Sequence, residues 1–142
     1  AGVEDVWQAC GLPAAALTIV GGDDTMASGY RLTEQLLASA PAGKCPFTAL
    51  FACNDLMAIG LMKGLAERGI RVPEQVSIVG FDNIFASALI APGLTSVAAP
   101  LTMLGDAAVR VIVARLNGTK PPENLPVTVP VRLMVRGSTG PA

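Results

Sequence analysis

The sequence predicts an α/β fold, a parallel open sheet with helices on both faces, and three observations carry that reading. Residues 48–84, TALFACNDLMAIGLMKGLAERGIRVPEQVSIVGFDNI, hold two short apolar runs, Thr48 to Cys53 and Val76 to Gly80, around the helical pattern of Asp55 to Arg68. A connection of that length with a helix inside it suits parallel strands, and such crossovers are nearly always right-handed. Both runs lack polar alternation, which is the pattern of strands covered on both faces. Strand and helix patterns also alternate along the rest of the chain. The two strands therefore end on one edge of the sheet, in Asn54-Asp55 and in Phe81-Asp82-Asn83. Open α/β sheets bind ligands just beyond the carboxyl ends of their strands, so these clusters are the first site candidates.

Taken in order, Val3, Val6, Trp7 and Cys10 recur at helical spacing, so residues 1 to 10 form an amphipathic helix capped by Gly11 and stopped by Pro13. The chain opens in this helix without an initiator Met, where the alternation asks for a strand first, so a fragment of a longer core is expected. Leu17 to Val20 reads as a short strand running into Gly21-Gly22-Asp23-Asp24-Thr25. A helix follows from about Met26 to Ala38, with Asp24 or Thr25 as its N-cap, and Pro41-Ala42-Gly43 ends it. The helix after Asn54 closes at Gly69, and Pro73 marks the turn before the next strand. Residues 84–93 form an apolar loop or short helix, and Leu94 to Ala98 a strand. Leu101 to Leu116 is an amphipathic helix with Leu101, Leu104, Ala108, Val111, Ile112 and Leu116 on one face, stopped at Asn117-Gly118. Val127 to Val135 alternates, placing Val127, Val129, Val131, Leu133 and Val135 inward and Thr128, Pro130, Arg132 and Met134 outward, while Pro130 demotes the strand to a sheet edge.

The helix after Asn54 carries a wide apolar surface. Met57, Ala58, Ile59, Leu61, Met62, Leu65 and Ala66 cover about 200° of arc at about 100° per residue, roughly twice what one sheet contact needs. Gly60 and Gly64 fall near Glu67 on its polar side. A second contact, with another domain or a partner chain, accounts for the excess, and so does complete burial in one core.

Composition narrows the function classes. A chain of 142 residues, 51% hydrophobic and 15% charged, has enough apolar side chains for a globular core. No apolar run approaches the roughly 18 residues that span a bilayer, and no membrane partner is expected. A net charge of −1 with scattered Lys and Arg offers no footprint for nucleic acid. Cys10, Cys45 and Cys53 are odd in number and follow no metal-ligand spacing, which favours reduced thiols and a cytoplasmic setting. The chain has no histidine, the commonest general base. Neither a catalytic residue, a metal site nor a cofactor is read from it.

Each polar candidate has two readings. Asp23 and Asp24 sit at a strand end, where they contact a ligand or cap the next helix. Asp55 is placed as the N-cap of its helix. Asn54 has no local task, and its amide offers both a donor and an acceptor. Asp82 either caps a turn with Asn83 or accepts hydrogen bonds from ligand hydroxyls or amines.

The ordered pieces CND-x-MAIG, GI-x-VPEQVSIVGFDN, P-x-LTSV, P-x-x-x-LG-x-A and the closing LMVRGST resemble the lactose-repressor (LacI/GalR) family of bacterial transcription regulators. The resemblance extends to AGVEDVWQACGLP and GGDDTMASGYR and so covers essentially the whole chain. It implies a periplasmic-binding-protein-like core of two α/β subdomains around an effector cleft, with the second subdomain incomplete here. Residues 1–94 would belong to the C-terminal subdomain, 95–132 to the N-terminal subdomain, and 133–142 would return to the first. Operator DNA would be read only by an N-terminal helix-turn-helix domain that these residues lack.

On the same resemblance Asp82 matches an effector-contacting acid and Asn54 a polar effector contact. Asp24 is a third candidate at the effector edge. It falls where many relatives carry a stacking aromatic ring, which argues against a planar purine or a stacked sugar face. Ala99 stands where some relatives have glutamine, and an effector-clamping arginine would precede Ala1. A homodimer interface is implied at Met26, Met57, Ile59, Met62, Lys63 and Ile90. The function implied is the effector-binding and dimerisation portion of a LacI-type regulator, most often a repressor, sensing a small molecule such as a sugar. The competing reading is a secreted sugar-binding protein of a transport system with the same fold, against which the GI-x-VPEQVSIVGFDN stretch and three unpaired cysteines argue. Nothing supports an enzyme.

Overall fold

The structure, a computed structural model, describes residues 2–120 and 128–141. Its elements are α1 (Val3–Ala9), α2 (Met26–Leu37), β1 (Ala49–Phe51), α3 (Asp55–Glu67), β2 (Ser77–Phe81), β3 (Thr95–Ala98), α4 (Leu101–Leu116) and β4 (Arg132–Met134), with 3₁₀ turns at Ala14–Ala16 and Phe85–Ala88. The four strands form one open sheet in the order β1-β2-β3-β4. β1, β2 and β3 are parallel, while β4 runs antiparallel to β3, so the sheet is mixed.

The strand–helix–strand unit stands as read, with α3 packed on β2 and α2 packed on α3. α3 ends in a Schellman motif. Arg68 is the C-cap, Gly69 takes φ +72, the Gly69 N–H donates to Ala66 O, and the Ile70 N–H donates to Leu65 O. Ile70 and Leu65 are both buried there, the apolar contact that accompanies the motif. Leu61, Leu65, Ile78, Val76 and Leu94 form the centre of the core.

Several expectations change. The apolar arc of α3 is largely consumed inside the chain: Met57 and Met62 are only 7% and 8% exposed, within the same core cluster as Ala58, Leu61 and Leu65. Gly60 and Gly64 do not face solvent. Both are buried against α2, where a Cβ on Gly60 would overlap the Met26 carbonyl oxygen and one on Gly64 the Thr33 side chain. Gly29 of α2 likewise abuts the Met57 carbonyl. Small residues let the two helix backbones approach, and that contact widens the buried surface of α3 beyond a sheet contact.

Leu17 to Val20 is not a strand. It finds no ladder partner among the described residues, and Ile19 is 66% exposed. β1 is shorter than Thr48 to Cys53 and lies at the sheet edge, half exposed rather than covered on both faces. The last strand is confined to Arg132–Met134 at the opposite edge, and Val127 lies outside the described residues. The burial read for its two faces does not hold from Val131 on: Val131, Leu133 and Val135 are exposed, and Met134, read as outward, is half-buried where it pairs with buried Ser96, while Thr128, Pro130 and Arg132 are exposed as read. α4 has the bounds read from the sequence, but its apolar face is open, with only Ala114 buried. α1 likewise buries no residue.

Candidate functional site

Strand polarity places the ends of β1, β2 and β3 on one edge, and the side chains there come from three connections. The first is the loop before α2. Thr25 is the N-cap, its Oγ1 accepting from the Ser28 N–H at 3.0 Å. Asp23 takes the Thr25 hydroxyl at 2.5 Å and the Thr25 N–H at 3.1 Å, and pairs with Arg31 at 3.0 Å. The Thr25 hydroxyl above all holds the Asp23 carboxyl below the usual range. Asp24 is left-handed at φ 62, which Asp tolerates better than most residues, and no hydrogen bond to its side chain occurs among the described residues.

The second connection carries Asn54, which has a local task after all. It is the N-cap of α3: Oδ1 accepts from the Met57 N–H at 2.8 Å, and Nδ2 donates to the Asp24 carbonyl at 2.9 Å. The structure thus joins Asn54 to Asp24, and one amide hydrogen of Asn54 is left for another acceptor. Asp55 is not the N-cap. It is 1% exposed and accepts from the Ile84 N–H (2.8 Å), the Ser87 hydroxyl (2.6 Å) and the Ser96 hydroxyl (2.6 Å).

The third connection carries Asp82. It follows β2 directly, is exposed and adopts φ 97, and its N–H donates to Val97 O at 2.9 Å. Asn83 is left-handed too, at φ 52, and its Oδ1 accepts from Arg136 Nη2 at 2.6 Å. The Asp82 carboxylate makes no hydrogen bond among the described residues, so it is an acceptor held on a fixed backbone. Ser96 and Arg136 are residues that the sequence reading missed, and Asp55 it took only for a helix cap. Their only signal was membership in the ND, LTSV and LMVRGST pieces.

The proposed interface residues separate by burial. Met26 is 48% exposed and Lys63 is exposed, Ile59 and Ile90 are half-buried, and Met57 and Met62 are enclosed. A groove of about 570 Å³ runs past Ile59, Met62, Lys63, Val72 and Ile90. At its rim Lys63 pairs with Glu67, Tyr30 Oη donates to Glu67 at 2.5 Å, and Lys63 Nζ lies 5.3 Å from the Tyr30 ring centroid. This pairing raises the Lys63 pKa and lowers that of Glu67. A smaller cleft of about 330 Å³ lies beside Asp23, Ser28 and Arg31, and Asp82 does not line it. No cluster of three or more His, Cys, Asp or Glu able to hold a metal occurs among the described residues, and none of the described helices is long and apolar enough to cross a membrane.

The comparisons with known proteins agree with this architecture. The family described as a periplasmic binding protein-like domain matches residues 1–139. The chain is 37% identical over 110 residues to the HTH-type transcriptional repressor PurR of Pasteurella multocida, covering 78% of this chain and 31% of that protein. It is 36% identical over 129 residues to the catabolite control protein A of Priestia megaterium, covering 91% and 37%. A LacI family transcriptional regulator from Enterococcus faecium, solved with bound ribose, superposes with TM-score 0.79 at 31% identity, covering 99% of this chain and 50% of that one. The chain thus spans about a third of these curated relatives and half of the solved chain.

Proposed function

This chain belongs to the periplasmic-binding-protein-like domain family, in the group whose relatives are LacI-type regulators, and from that premise we propose that it forms one wall of an effector cleft and a dimer contact in a bacterial transcription regulator. The observation that carries the reading is Asp82, an exposed carboxylate without a partner among the described residues, fixed in a left-handed turn at the carboxyl edge of the sheet. Asn54 and Asp24, joined to each other on the neighbouring connection, complete a polar edge suited to the hydroxyls of a sugar or a related polar metabolite. The ribose bound by the Enterococcus faecium regulator supports that class of effector. The exposed apolar face of α4 supports assigning that helix to the opposite wall, whereas β3 (Thr95–Ala98) and Arg132, assigned to that wall with it on the resemblance, pair within the sheet of the first.

The mechanism is a coupling of free energies. Effector binding between two subdomains favours one relative orientation, and the full polypeptide then changes its affinity for operator DNA, read by a helix-turn-helix unit outside these residues. Such a regulator works in the bacterial cytoplasm, where its DNA is. The relatives are regulators rather than enzymes.

In the full-length regulator, Asp82→Ala removes a charged acceptor, and hydrogen bonds to charged groups contribute about 1.5–3 kcal/mol. The effector concentration that releases operator in a gel-shift titration is expected to rise roughly 10- to 150-fold, with operator affinity unchanged. An unaltered effector response would remove Asp82 from the site.

Self-association is proposed through Met26, Ile59, Lys63 and Ile90 around the groove beside α3. Met57 and Met62 are retained as the buried support of that surface, so a charge at Met62 would test the core rather than the contact. Ile59→Asp is the cleaner probe. Sedimentation of the full polypeptide is expected to show a dimer in the parent and a folded monomer in this variant. A parent that sediments as a monomer across the micromolar range contradicts the proposed surface.

A further inference from the structure

We propose that Asp55, acting through Ser96, and Arg136 are positioning residues that clamp the Asp82–Asn83 turn and so set the direction of the Asp82 carboxylate. The role in effector binding rests on the reading of Asp82 given above; the clamp itself rests on the geometry.

Two consecutive residues of this turn, neither of them glycine, lie in the left-handed region, at φ 97 and 52. Such backbone persists only where its surroundings over-determine it. Here every backbone N–H across the turn has an acceptor: Asp82 on Val97 O at 2.9 Å, Asn83 on Ser96 Oγ at 3.0 Å, and Ile84 on Asp55 Oδ2 at 2.8 Å. The Ser96 hydroxyl is oriented by donating to Asp55 Oδ1 at 2.6 Å, which leaves its lone pairs for the Asn83 N–H. Ser87 donates to Asp55 Oδ2 at 2.6 Å, so the buried carboxylate is held from three sides. Gly80 is what makes room for it, since a Cβ there would overlap Asp55 Oδ1.

Arg136 closes the turn from the opposite flank. Nη2 donates to Asn83 Oδ1 and Nη1 to the Leu94 carbonyl, each at 2.6 Å, so one rigid guanidinium ties the turn after β2 to the start of β3. Its own backbone is fixed by the Thr95 hydroxyl, which accepts the Arg136 N–H at 2.9 Å. Asp55 also directly follows Asn54 at the N-terminus of α3. One buried carboxylate therefore sets the spacing between Asn54 and Asp82, the two polar groups proposed to meet the effector. The closing VRGST stretch, far off in sequence, acquires a task at the same edge.

The test compares Ser96→Ala and Arg136→Met with Thr33→Ala, a buried change in α2 remote from the turn, all in the full polypeptide. Amide hydrogen exchange at Asn83 and Ile84 is the primary readout. It is expected to accelerate about 10-fold or more in the first two variants and to match the parent in the third. Unchanged exchange in Ser96→Ala and Arg136→Met overturns the clamp, and so does an equal acceleration in Thr33→Ala, which would report only general loosening. Calorimetric titration with ribose separates the two claims. Ribose binding that weakens in Asp82→Ala but not in the clamp variants overturns their role in positioning. Altered exchange with ribose binding unchanged in Asp82→Ala removes the effector reading and leaves the clamp standing.

Discussion

Gly60→Ala is expected to destabilise the core by about 3 kcal/mol, although alanine is the better helix former by about 1 kcal/mol in an exposed helix. The opposing term is steric and decides the sign. A Cβ at Gly60 would fall on the Met26 carbonyl oxygen and close to the Tyr30 N–H, both backbone atoms that no rotamer change can move. α2 and α3 would have to separate, exposing Leu32, Leu61 and the Met57 side chain, which now lie in the core. Gly64→Ala meets the Thr33 side chain instead. Thr33 is stiff at χ1 and fully enclosed, so a smaller loss, nearer 2 kcal/mol, is expected there. Urea unfolding at fixed m-value reads both changes. A Gly60→Ala protein as stable as the parent would mean that the two helices do not meet as described.

The second large effect is expected from Asp55→Ala. This change leaves the Ile84 N–H and the Ser87 and Ser96 hydroxyls without their shared acceptor in a site closed to water. Leaving a buried donor unsatisfied costs about 1–3 kcal/mol, and the two hydroxyls can rotate toward other acceptors while the N–H cannot. The total loss is therefore set at about 3–4 kcal/mol, again read by urea unfolding. Asp55→Asn keeps the shape and one acceptor oxygen, so about half that loss is expected. A loss below about 1 kcal/mol for Asp55→Ala would show that the carboxylate is not the common acceptor of these groups.

The same two sites show where sequence reasoning reached and where it stopped. The spacing of apolar runs around Asp55 to Arg68 was enough for the parallel β1–α3–β2 unit, and with it for the edge that carries Asn54 and Asp82. Local chemistry also marked the stop at Gly69 and the full extent of α4. The cap of α3 was read at Asp55 and lies at Asn54, because both residue types cap helices and only packing tells which side chain turns inward. Gly60 and Gly64 read as a thin polar face, because a glycine in a helix looks the same whether it meets solvent or another backbone.

What the sequence determined alone was the parallel β1–α3–β2 unit, the places of the helices and the edge where polar residues gather, since these follow from periodicity, turn residues and the crossover length that parallel strands require. Only the tertiary structure decided which apolar face is covered, that β4 runs antiparallel with Val131, Leu133 and Val135 exposed, and that Asp55, Ser96 and Arg136 converge on one turn. Those features depend on contacts between residues tens of positions apart, as in the pairing of Asp55 with Ser96 and of Arg136 with Asn83. Periodicity describes which face is apolar; it carries no information about what lies against it.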